Sequence, residues 1–142
     1  MSKSNTLENS WLELFFKGTT ITGIADNTAT SPLTNLYVSL HTADPGEAGT
    51  AVTNEATYTS YARVAVARSG SGWTVTGNSV SPAANIDFPA CTGGTNTITH
   101  FGIVSTASGA GTLYYKGTVT PNISVSSGVT PRLTTASTIT ED

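Results

Sequence analysis

Arg63-Val64-Ala65-Val66-Ala67-Arg68 decides the fold class of this chain. Valine recurs at every second position, the period of a pleated strand, and an arginine closes each end. Small alanines stand where a half-buried strand usually carries polar groups. The same period runs through most of the sequence around it and marks strands at residues 36–41, 62–67, 72–76, 85–88, 97–104, 111–119, 123–125 and 133–139. Ser69-Gly70-Ser71-Gly72, Gly93-Gly94, Ser108-Gly109-Ala110-Gly111 and Ser126-Ser127-Gly128 punctuate these runs as turns. Thr and Ser fill nearly a third of the chain, and only 11% is charged, a composition suited to strands with a hydroxyl-covered surface. About eight short strands predict a mainly β protein, an antiparallel β-sandwich or jelly roll.

One helix precedes the strands, at about residues 6–17. Asn5 with Glu8 three positions later forms a capping-box pattern, and Gly18 after Lys17 suits the C-terminal end. Leu7, Trp11, Leu14 and Phe15 fall on one face at helical period, while Leu12 and Phe16 widen the apolar stripe. A helix so apolar is expected to dock on both sides, in part against another subunit. Trp11, Phe15 and Phe16 are therefore interface candidates.

A length of 142 residues with 37% apolar content suits one domain spanning 1–142, with a β-domain at about 35–140. The excursion at about 42–60 lacks a strand pattern, and loops of that length tend to be functional or ordered by a neighbour. Asp44 before Pro45-Gly46 starts a tight turn, its side chain bonding the backbone two residues on. Tyr58 and Tyr61 are expected to pin the returning limb. Asp44, Glu55, Tyr58 and Tyr61 join the interface candidates, as do Arg63 and Arg68. The two arginines read equally as partners in intersubunit ion pairs or as charges protecting a sheet edge.

Little in the sequence suggests chemistry. A formal charge of −3 with six scattered Lys and Arg offers no surface for nucleic acid. The single Cys91 forms no internal disulfide and fits a reducing cytosol. The opening residues lack a secretory apolar stretch, and no apolar run approaches a membrane span. His41 and His100 are the only imidazoles, each read as a packed histidine bonded to backbone. His41, Asp44 and Glu47 lie close in sequence, but no metal-ligand motif accompanies them. No catalytic residue, cofactor or metal is expected. A carbohydrate platform built from Trp73 with Tyr114 or Tyr115 is a lesser alternative. For an enzyme such as a depolymerase, the first carboxylate pair to measure is Asp87 with Glu55.

The run Leu36-Tyr37-Val38-Ser39-Leu40-His41-Thr42-Ala43-Asp44-Pro45-Gly46-Glu47-Ala48-Gly49 resembles a family of small tailed-bacteriophage virion proteins. So do Asn54 through Val66, Phe88-Pro89-Ala90-Cys91, Thr99-His100-Phe101-Gly102-Ile103 and the Asn-Thr-Leu-Glu-Asn start of the helix. The resemblance covers almost the whole chain. It implies a tail-fibre or head-decoration protein, assembled in the host cytoplasm, with virion residence and no active site. The leading expectation is a capsid decoration protein, a trimer binding the major capsid protein or other virion proteins. A tail-fibre or baseplate component touching the host surface is the alternative. Neither nucleic acid nor membrane is an expected partner.

Overall fold

A computed structural model describes residues 3–21, 24–25 and 32–141. The described chain is mainly β, with one helix, α1 (Asn5–Lys17), and nine strands. These are β1 (Asn35–His41), β2 (Val64–Ala67), β3 (Trp73–Thr76), β4 (Ser79–Pro82), β5 (Ile86–Asp87), β6 (Asn96–Val104), β7 (Leu113–Val125), β8 (Arg132–Leu133) and β9 (Ile139–Thr140). Two compact units arise, one from Met1–Asn35, Val66–Ile86 and Leu133–Asp142, the other from Leu36–Ala65 and Asp87–Arg132.

The first unit packs α1 on the antiparallel sheet β3-β4-β9. Trp73, Val75, Val80 and Pro82 share one sheet face by register, while Thr74, Thr76, Ser79 and Ser81 share the other. Alternation thus sorts the apolar side chains toward the helix. Phe16 meets Trp73 edge to face at 4.8 Å, and Leu12 and Phe16 are fully buried. Ser4, not Asn5, caps the helix: its hydroxyl accepts from the Leu7 N–H at 3.3 Å. Asn5 already has helical geometry, so the capping-box pairing with Glu8 does not form. Gly18 ends the helix at φ 71° and returns its N–H to Leu14. The buried stripe is Glu8, Leu12 and Phe16, whereas Leu7 and Trp11 are 44% and 41% exposed.

The second unit is organised by β1, β6 and β7, consecutive members of the sheet order β2-β1-β6-β7. β1 and β6 pair antiparallel from Tyr37↔Val104 to His41↔His100, and β7 pairs antiparallel along β6. Leu36, Val38 and Leu40 point to one face of β1 and are buried, with Ile98, Phe101, Ile103 and Val104 completing much of the core. Four strands differ from the sequence reading. Residues 111–119 and 123–125 form one strand, β7, because the irregular step opposite Ile98 and His100 absorbs Thr120-Pro121-Asn122 on an edge strand, where proline is tolerated. The 133–139 run divides into β8 and β9, which join different sheets around a turn closed by Ser137 N–H to Thr134 O. β4 was not legible as a strand, since Ser-Val-Ser-Pro offers a single aliphatic residue. It forms because the Gly77-Asn78 turn folds it back on β3.

Candidate functional site

The 42–60 excursion and the residues that receive it form an extended polar network in the second unit. Its two limbs close on β1: Thr42 N–H bonds Asn54 O, Ala56 N–H bonds Leu40 O, and His41 bridges to Glu55. At the outer turn, Gly46 N–H donates to Asp44 Oδ1 at 2.8 Å, the turn that the sequence suggested. That bond, with Lys116 beside it, holds the Asp44 carboxyl below its ordinary pKa. Thr50 bridges to Thr112, and Ala51 N–H bonds Gly111 O.

Glu55 is the hub of the returning limb. Arg63 Nε donates to its Oε1 at 2.6 Å and Nη2 to its Oε2 at 2.8 Å. The remaining Arg63 hydrogens reach Thr106 O, Thr106 Oγ1 and Gly109 O. The Arg63 side chain is buried, and its hydrogen bond to Glu55 raises its pKa. Tyr61 donates its hydroxyl to the same Glu55 oxygen and accepts from Leu40 N–H, and burial pushes its pKa well up. Tyr58 donates to Pro89 O, with burial moving its pKa up to about 12. Its ring packs edge to face on Tyr61, which stacks on Phe88. Both tyrosines do pin the limb, as expected. Thr106, Gly109 and Asn96, whose Oδ1 accepts from Thr57 and Tyr58 N–H, were not singled out in the sequence.

Beneath the excursion, His41 is fully buried, its Nδ1 2.8 Å from Thr53 O and its Nε2 2.8 Å from Ser39 Oγ. A serine–imidazole pair at that distance has the geometry of a nucleophile and base. With both residues at 0% exposure, no substrate reaches it.

The interface candidates separate into internal and outward residues. Phe16, Tyr58 and Arg63 are buried within the chain itself, and Glu55 is spent on Arg63 and Tyr61. Those four therefore build the fold and offer a neighbour little contact surface. Arg68 donates from Nε to Phe15 O and from Nη2 to Leu14 O, both at 2.6 Å, satisfying carbonyls at the negative end of α1. Trp11 and Asp44 are exposed, and Phe15 lies 6.2 Å from the Trp11 ring at intermediate burial.

The remaining chemical readings resolve in the same way. Asp87 pairs with Arg132, whose guanidinium holds the Asp87 carboxyl below its ordinary pKa, so Asp87 and Glu55 are each tied to a different arginine. Trp73 is 2% exposed and presents no ring to a sugar. Cys91 is a buried residue whose thiol reaches Gly93 O. An open groove of about 560 Å³ is lined by Thr42, Thr95, Asn96, Thr97, Ser124, Val125 and Ser126, with no ionisable side chain. Among the described residues, no three His, Cys, Asp or Glu are grouped to hold a metal, and no helix is long and apolar enough to cross a membrane.

The family model described as Podophage GP4 fiber I protein gp80 matches residues 2–140. A search of curated proteins returned no match.

Proposed function

The chain belongs to the podophage GP4 fiber I protein gp80 family, and from that premise we propose that it is a non-enzymatic structural component of a phage fibre, working by adhesion to neighbouring virion chains. The family match over residues 2–140 carries the reading, because it spans both compact units. A fibre is preferred to the head shell because the family description names one.

The surface supports adhesion and gives no support to turnover. α1 leaves Leu7 and Trp11 44% and 41% exposed, so a neighbour would cover less than half of the roughly 150–250 Å² that a fully buried tryptophan contributes. Tryptophan is also enriched among residues that dominate protein–protein contacts. Trp11, with Phe15 beside it, is the proposed centre of contact, and Asp44 belongs to its polar surroundings at most. Self-association around a symmetry axis, as a trimer, would repeat this contact in each copy. Quantitative mass spectrometry of purified virions tests the assignment. A fibre component is present at a few copies per fibre. Hundreds of copies per particle would move it to the shell, and its absence from washed particles would end the structural reading.

A further inference from the structure

We propose that His41 is an acid-sensitive latch: a proton added to its ring opens the closure of residues 42–56 over the end of β1. The argument begins with hydrogen-bond polarity. Thr53 O only accepts, so His41 Nδ1 carries the ring hydrogen, and Nε2 accepts from the Ser39 hydroxyl. The site is built for a neutral ring. A second ring hydrogen would point at the hydroxyl hydrogen of Ser39. Ser39 can redirect that hydrogen only to Gly102 O, 3.4 Å away, at the limit of hydrogen-bond reach.

No space exists to relieve the conflict. A β-carbon placed on Gly102 would lie 2.7 Å from Ser39 Oγ and 2.9 Å from His41 Nε2, so β6 backbone lies directly against the pair. The charged groups facing the ring are Glu55 from the returning limb, Arg63 from the segment leading into β2, and His100 from β6. Glu55 is already held bidentate by Arg63, and Arg63 and His100 both disfavour a charge on the His41 ring. Burial, the largest influence, lowers the ring's pKa, and the Thr53 bond and Glu55 oppose it only in part.

The sign follows. The folded ring binds a proton less readily than the unfolded one, so its contribution to stability is complete above the ordinary histidine pKa of 6.5 and is lost as pH falls below it. Opening the excursion hydrates the ring without breaking the β1–β6 ladder. Thr53 lies on that loop, whereas the Ser39 side rests on the β1–β6 ladder.

Hydrogen exchange on the full chain, corrected for intrinsic rates, tests this between about pH 7.5 and pH 5.5. Protection of the Thr42 and Ala56 amides is expected to fall about tenfold, since one pH unit below 6.5 sets that limit. The Ala83 amide, bonded to Gly72 O in the other unit, keeps its protection. His41→Gln should abolish the acid-dependent loss at Thr42 and Ala56. Ring NMR of the wild-type chain gives a second reading that needs no variant: an Nδ1–H neutral ring that gains its proton only as these amides open. A ring that protonates while both amides stay protected would overturn the proposal. So would an equal loss at Ala83, or the same pH response in His41→Gln.

Discussion

Arg63 shows how much of the second unit depends on single side chains. Its five N–H hydrogens all find acceptors, two on Glu55, two on Thr106 and one on Gly109. They join the returning limb of the excursion to the 105–111 loop. Removing one member of a buried ion pair leaves the other charge without compensation, a loss of about 3–5 kcal/mol. Arg63→Ala is therefore expected to lower the urea midpoint of the second unit sharply. Arg63→Lys should recover little, because an ammonium cannot present the same planar fork. An Arg63→Ala chain with an unchanged midpoint would contradict the hub role. In sequence, Glu55 and Arg63 stood out only as interface candidates, and their pairing within the chain was concealed. Backbone carbonyls such as Thr106 O and Gly109 O have no residue-type signature, so only the fold reveals them. His41 was legible as a packed histidine bonded to backbone, while its contact with Ser39 depended on strand burial.

Element-scale reasoning meets its hardest case in α1. Its length and C-terminal glycine were readable, yet its buried face was not. Two apolar stripes compete on the helix, one through Leu7, Trp11 and Phe15 and another through Leu12 and Phe16. The acidic Glu8 disguises the second stripe, although that is the one the sheet covers. The distinction gives a paired prediction. Leu12→Ala should destabilise the first unit by about 2–5 kcal/mol, as expected for a fully buried leucine. Trp11→Ala should destabilise the first unit less than Leu12→Ala does, since Trp11 keeps 41% of its surface exposed, and should also weaken incorporation into particles. Calorimetry and a particle co-sedimentation assay separate the two effects. Equal stability losses would mean that Trp11 serves the fold. Strands with strong period-two runs, β1, β3 and β6, were readable within a residue. The short pairs β8 and β9 were not, because their sheet membership is set by distant partners.

At the scale of the whole molecule, composition foretold a mainly β chain with dispersed charge, and the family match supplies what composition lacks, a setting in the virion. The polar network of the second unit holds its own loop closed and leaves few groups for chemistry. The first unit carries the exposed Leu7 and Trp11 of α1. On the proposed reading, fold stability and partner contact fall to different residues, and burial, which separates Phe16 and Tyr58 from Trp11, is not written in the sequence. The central claim is that this chain is a building part of a fibre. High-resolution cryo-electron microscopy of intact virions tests it most directly, by fitting each of the two units into the density. The account predicts both units within fibre density, with Trp11 covered by a neighbouring chain. Density for the units on the head shell, or Trp11 facing solvent in every copy, would contradict it.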